Sequence, residues 1–121
     1  MKHNLSDANR IEHVLEAIET MDHLLKGVDF LTFEKNIEKR LAVERLLEII
    51  GEASNYISEK IIYHPDISTP WRQIINTRNI IAHEYLRVDI EIIYKIATNN
   101  IIPLKLDIMQ ILKNLDKYLS S

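Results

Sequence analysis

Apolar positions recur along the chain at spacings of three and four. Ile11, Val14, Leu15, Ile18, Met21 and Leu25 define one face of a first helix, as a period of 3.6 residues requires. Ser6 or Asp7 is placed to cap it and Gly27 to stop it. Leu31 to Phe33 begin the next helical region, with Thr32 as a candidate cap, or the polar segment up to Arg40 forms a short separate turn. From Leu41 the pattern is continuous: Val43, Leu46, Leu47, Ile50, Ala53, Ser54, Ile57 and Ile61 form a long central stripe ending near Tyr63. Gly51 interrupts this stripe, which suits a close helix crossing, since glycine within a helix costs about 1 kcal/mol relative to alanine.

The segment His64-Pro65-Asp66-Ile67-Ser68-Thr69-Pro70 is the clearest break. Proline biases the residue before it away from helix, and it suits the first turn of a new one. The spacing predicts a third helix from Pro70 to about Leu86 with Thr69 as N-cap. Asp89 caps a fourth containing Ile92, Ile93, Ile96 and Ala97. Pro103 then permits a kink or a fresh start before Leu104, Ile108, Ile111, Leu112, Leu115 and Leu119. Long amphipathic helices joined by short loops predict an all-α, antiparallel bundle of four to five helices. No repeat or linker divides residues 1–121, so a single domain is expected.

Composition supports this picture: 46% of the 121 residues are hydrophobic, and there are only two glycines and three prolines. The absence of cysteine excludes disulfides and thiolate ligands. No apolar run has the length of a membrane span or of a signal-peptide core. A soluble, cytoplasmic chain without membrane contact is expected. The net charge of -3 argues against constitutive, tight nucleic-acid binding, which ordinarily needs a basic excess. It leaves room for a catalyst that holds its substrate loosely. Lys35, Lys39, Arg40 and Arg45 are candidates for a positive groove, against the plainer reading as solvated helix faces. His13 and His23 recur ten residues apart, about 15 Å along a helix, too far to share a metal.

The chemistry concentrates in Arg78-Asn79-Ile80-Ile81-Ala82-His83-Glu84-Tyr85. At about 100° per residue, Asn79 and His83 stack one turn apart, and Arg78 and Tyr85 fall within roughly 20° of each other. Both ridges otherwise carry apolar residues, and a charge on an apolar stripe is costly unless paired or set in a cleft. RNA cleavage by the ribose 2′-OH needs a base, a cation for the phosphorane charge and an acid for the leaving oxygen. His83 supplies an imidazole, Arg78 a planar cation, and Asn79 an amide that can bind phosphate or fix the ring. One histidine leaves one proton role empty, and a two-fold dimer would fill it. No HExxH, paired-aspartate, glycine-rich phosphate loop or nucleophile-elbow motif is present; no metal or cofactor is expected. On spacing alone, Arg78 and His83 could equally be a buried polar bridge to Glu48 or Glu52 that fixes bundle register.

Arg78-Asn79-x3-His83-x-Tyr85 resembles the motif of the HEPN superfamily, in particular its HepT-like (DUF86) branch. Val43-Glu44-Arg45-Leu46-Leu47-Glu48-Ile49-Ile50-Gly51-Glu52-Ala53 is similar to that branch's central-helix signature, and His64-Pro65-Asp66-Ile67 with Pro70-Trp71 to its connection into the motif helix. The resemblance spans roughly Leu5 to Tyr118. It implies a helical bundle dimerising through the motif helix, and a metal-independent endoribonuclease toxin of a type VII-like toxin–antitoxin pair. Arg78, Asn79 and His83 would be its catalytic residues. The implied partner is a minimal nucleotidyltransferase antitoxin that adds AMP to Tyr85. The alternative is a non-catalytic helical interaction module that binds the nucleotidyltransferase or a nucleotide.

Overall fold

The computed structural model describes residues 2–67, 71 and 89–119. Among these every regular element is helical: α1 (Lys2–Leu25), α2 (Phe30–Lys35), α3 (Ile37–Asn55), α4 (Glu59–Ile62), α5 (Ile90–Lys95), a π-helical turn (Ile96–Asn100), α6 (Ile101–Lys113) and α7 (Leu115–Leu119). The all-α bundle expected from the spacing is what forms. Among the described residues the most extensive packing is between α1 and α3, and α6 also packs against α1.

The predicted stripes are the core. Ile11, Val14, Ile18, Met21 and Leu25 of α1 meet Val43, Leu47 and Ile50 of α3, with Leu104, Ile108 and Ile111 of α6 closing the third side. Full burial of each such side chain stabilises the fold by roughly 1.5–3 kcal/mol against leaving it in water. Ile92, read as part of the fourth stripe, instead points outward, while Ile93 and Ala97 are buried.

The boundaries differ from the spacing in instructive ways. Gly27 ends α1 with a φ of 73°, and the Val28 N–H returns to the Leu25 carbonyl, a left-handed stop that favours glycine. Asp29, not Thr32, caps α2: its carboxylate accepts from the Thr32 N–H at 2.8 Å. Asn36 then ends α2 and caps α3 through the Lys39 N–H at 3.0 Å, so the central helix begins at Ile37 rather than Leu41.

Asp7 is no cap for α1, which already begins at Lys2. Its buried carboxylate accepts from the N–H (3.0 Å) and the hydroxyl (2.6 Å) of Ser58, 51 residues on. That contact holds Ser58 at the head of α4. It also explains why the central rod breaks after Asn55 instead of running to Tyr63: Ile57 and Ile61 keep their core positions on either side of the break.

Asp89 caps α5 as expected, accepting from the Glu91 N–H at 2.9 Å and the Ile92 N–H at 3.4 Å. The rod from Ile90 to Lys113 then widens into a π turn at Ile96–Asn100, where the Ile101 N–H reaches back to the Ile96 carbonyl. Pro103 follows immediately. It has no N–H for the Asn99 carbonyl, and its ring would crowd that group in a regular helix, so a wider turn just upstream relieves the conflict. Here the expected kink takes the form of an inserted residue.

Candidate functional site

Arg78, Asn79, His83 and Tyr85 lie outside the described residues, as do Thr69, Pro70 and the rest of the predicted third helix except Trp71. What the structure defines is the frame on either side of that stretch. Trp71, the only tryptophan in the sequence, is buried, and its indole Nε1–H donates to the Ser54 hydroxyl at 2.9 Å. Ser54 is itself fully buried on α3. A buried indole N–H needs an acceptor, and a serine within an isoleucine-rich stripe is the only kind of residue there that supplies one. This bond fixes the chain to α3 seven residues before Arg78.

Upstream, the His64–Ile67 connection is tied to the C-terminal end of the fold. Asp66 accepts from the Lys117 ammonium at 2.8 Å and from the Tyr118 hydroxyl at 3.3 Å. The Tyr118 oxygen in turn accepts from the Gln110 amide at 3.1 Å. The His64 ring stands edge-on to the buried Tyr118 ring, 4.7 Å between centroids. Its Nδ1 accepts from the Asp66 N–H at 3.1 Å, so the neutral ring carries its proton on Nε2. Hydrogen bonding from Lys117 holds the Asp66 carboxyl below the ordinary carboxylate range, and the same bond raises Lys117. Downstream, the Asp89 cap fixes the start of α5.

The charged face of α3 is organised around Arg45, whose guanidinium lies 3.5 Å from Glu48 and 3.7 Å from Glu52. Both carboxylates proposed as bridge partners for Arg78 and His83 therefore already approach a cation on their own helix. Glu44, one turn before Glu48, is pushed up by burial; Arg40 opposes that shift and the Glu48 charge adds to it. Three of the four cations considered for a groove already have partners within the protomer. Lys39 donates to the Leu24 carbonyl at 3.2 Å, Arg40 to the Glu34 carbonyl at 3.3 Å, and Arg45 faces its two glutamates. His13 and His23 are both exposed. No helix among the described residues is long and apolar enough to cross a membrane.

Sequence reasoning missed two parts of this frame. Ser54 falls within an apolar stripe, and its polarity at a core position is the available signal of a buried partner. Tyr118 is fully buried three residues from the chain's end. The leucines around it carry the helical spacing, and no local feature announces its hydroxyl's role.

The described residues form an all-helical bundle, and its core-anchored tryptophan precedes an Arg-Asn-x3-His-x-Tyr segment in the sequence; likeness to known proteins identifies the class. Residues 14–111 match the family described as ribonuclease HepT-like. The chain belongs to the HepT-like family. It is 34% identical over 99 residues to a candidate RNase of Methanocaldococcus jannaschii, covering 78% of this chain and 86% of that protein. It is 35% identical over 101 residues to a probable ribonuclease HepT of Thermococcus cleftensis, covering 83% and 90%. A candidate RNase of Caldanaerobacter subterraneus subsp. tengcongensis is 31% identical over 103 residues, covering 85% and 91%. No solved structure matches the chain.

Proposed function

We propose that this chain is a metal-independent endoribonuclease, the toxin of a type VII-like pair whose antitoxin is a minimal nucleotidyltransferase. The observation that carries the proposal is Arg78-Asn79-x3-His83-x-Tyr85 lying inside the 14–111 stretch that matches the HepT-like family. The names of its relatives, a probable ribonuclease HepT and candidate RNases, support the same substrate.

In this reading, one protomer's His83 takes the proton from a ribose 2′-OH as that oxygen attacks the adjacent phosphorus. The P–O5′ bond breaks, and the partner subunit's His83 donates a proton to the departing oxygen. A 2′,3′-cyclic phosphate and a 5′-hydroxyl result. Arg78 from both copies offsets the added negative charge on the phosphorane, and Asn79 binds phosphate or orients the imidazole. Proton transfer and charge neutralisation are both supplied by side chains, so the chemistry needs no ion. The antitoxin would attach AMP from ATP to the Tyr85 phenol, releasing pyrophosphate. On the ridge it shares with Arg78, the adenylate would place negative charge beside the catalytic cation and compete with RNA phosphate.

Purified protein in EDTA is expected to cleave RNA, with Arg78→Ala and His83→Ala each abolishing cleavage. Undiminished cleavage by both variants refutes the assignment. No cleavage by the wild type, together with a stable nucleotidyltransferase complex, would point to the interaction module instead. AMP addition is read separately by mass: the antitoxin and ATP should add one AMP to wild type and none to Tyr85→Phe.

A further inference from the structure

Tyr56 is 66% exposed, more than any other large hydrophobic side chain among the described residues, yet it is held in place. It caps the C-terminal end of α3. The Arg10 guanidinium donates to its backbone carbonyl at 3.2 Å and lies 5.3 Å from the centre of its ring, within the range of a cation–π contact. Just beyond, the Asp7–Ser58 hydrogen bonds tie α1 to the same end of α3. An aromatic ring fixed in this way and still open to solvent is a prepared surface for a planar partner.

The ring and the guanidinium stand at one end of a groove between α1 and α3. The two helices run antiparallel, since Arg10 bonds to Tyr56 and Lys39 to Leu24. The groove encloses about 500 Å³ and is floored by Ala17, Leu46, Ile49 and Ala53, a size and lining suited to a small planar ligand. Every nucleobase has a π face, so an aromatic ring beside an apolar floor takes bases with little regard to sequence. The charges on the rim orient the ligand. Arg10 spends one of its N–H donors on the Tyr56 carbonyl and keeps others for phosphate, and His13, three residues on, lines the same wall. Glu16 and Glu52 also line the groove; they repel phosphate and accept from the N–H groups of a base edge. A nucleotide therefore fits one way round, with its base over Tyr56 and the floor and its phosphate at Arg10. A helix from a protein partner would use the floor and would leave the Arg10–Tyr56 stack without a purpose.

We propose that the α1–α3 groove is a subsite for one nucleotide of single-stranded RNA, its base stacked on Tyr56 and its phosphate held by Arg10. This deepens the ribonuclease reading above, on which it rests, by giving the substrate a contact outside the motif segment. The subsite stands two residues from Ser54, whose hydroxyl holds Trp71 ahead of the motif.

The test uses the full-length chain carrying His83→Ala, so that RNA is bound and not cut, with folding checked by circular dichroism. Affinity for a short fluorescein-labelled oligoadenylate is read by anisotropy. Adding Tyr56→Ala should raise Kd about 5- to 150-fold, whereas Tyr56→Trp, which keeps a stacking face, should bind like its parent. Arg10→Ala should lower the slope of log affinity against log salt by about 0.7, the share of one phosphate contact on a single strand. With 5-iodouridine in the oligonucleotide, ultraviolet crosslinks should map to Tyr56. Equal affinity in the Tyr56→Ala variant, or crosslinks that map elsewhere, overturns the subsite. So does a Tyr56→Ala variant that keeps its RNA affinity and loses the nucleotidyltransferase complex, which would make the groove a protein surface. Cleavage by the chain with its native His83 separates the two readings. Cleavage with no effect of Tyr56→Ala on binding rejects the subsite and spares the nuclease, and Tyr56-dependent binding without cleavage does the reverse.

Discussion

Replacing Ser54 by alanine removes one oxygen from the core, and its effect can be worked out from a single bond. The Trp71 indole N–H donates to that oxygen at 2.9 Å, and both side chains are buried. Ser54→Ala leaves the N–H without an acceptor where water does not reach, which costs about 1–3 kcal/mol. With an unfolding entropy of ~2.1 cal/mol/K per residue, the 121-residue chain has a total of ~250 cal/mol/K. The melting temperature should then fall by ~4–12 °C. Trp71→Phe also destabilises, through a smaller ring and an unpaired Ser54 hydroxyl. The double variant Ser54→Ala/Trp71→Phe has neither orphan, so its loss should be smaller than the sum of the two by about 1 kcal/mol. Thermal melts followed by circular dichroism give all four corners of this cycle. Emission of the single tryptophan adds an independent probe, which should stay blue-shifted in native Ser54→Ala and redden on unfolding. A Ser54→Ala melt within about 1 °C of wild type, or strict additivity in the cycle, would refute the assignment of this bond as the anchor.

Two pH effects follow with opposite signs. Asp66 is held low first by its hydrogen bond from Lys117, so its contribution is present above the unfolded carboxylate pKa and is lost as pH falls through the lower folded value. Asp66→Asn should flatten the acid limb of the urea-midpoint profile; Lys117, raised by the same bond, mirrors this at alkaline pH, where stability fades as pH climbs through its raised value. Glu44 is raised, chiefly by burial, so ionising it disfavours the folded chain as pH rises through the unfolded carboxylate value. Glu44→Gln should unfold at higher urea than wild type at pH 7.5 and at the same urea at pH 3.5; a variant weaker than wild type at pH 7.5 would show that the Glu44 carboxylate is stabilised there.

What could be read from the sequence was whatever a local period encodes. Ile11 to Leu25 and Val43 to Ile50 fell on buried faces because a 3.6-residue repeat has one geometric meaning, and Gly27 and Asp89 end or begin helices through bonds to near neighbours. The break after Asn55 was not legible, since its cause is an aspartate 51 residues away, and the stripe passes through the break unchanged. The same holds for Asp66, whose partners Lys117 and Tyr118 arrive from the far end of the chain. Tertiary contacts of this kind overrule local pattern without leaving a trace in it. Arg78, Asn79, His83 and Tyr85 stood out in the sequence because a fixed cation, an imidazole and a phenol on otherwise apolar ridges conflict with the pattern around them; the family resemblance, not the spacing, separates cleavage chemistry from a buried polar bridge.

The geometry of α3 suggests why these two kinds of information meet on one helix. Ser54 faces the core and holds Trp71, while Leu41, Glu52 and Tyr56 lie about 140–160° around the helix from it at 100° per residue. α3 thus anchors the chain that leads into the motif on its inner side and carries the Arg45, Glu48 and Glu52 charges on its outer side. In the proposed reading, the catalytic imidazole must be held at a fixed distance from the bundle, and the Ser54–Trp71 bond ties the chain to α3 seven residues before Arg78. Loosening that bond by Ser54→Ala should therefore reduce RNA cleavage at a temperature where circular dichroism shows the variant fully native. Cleavage equal to wild type under those conditions would mean that the bond stabilises the fold without positioning the motif.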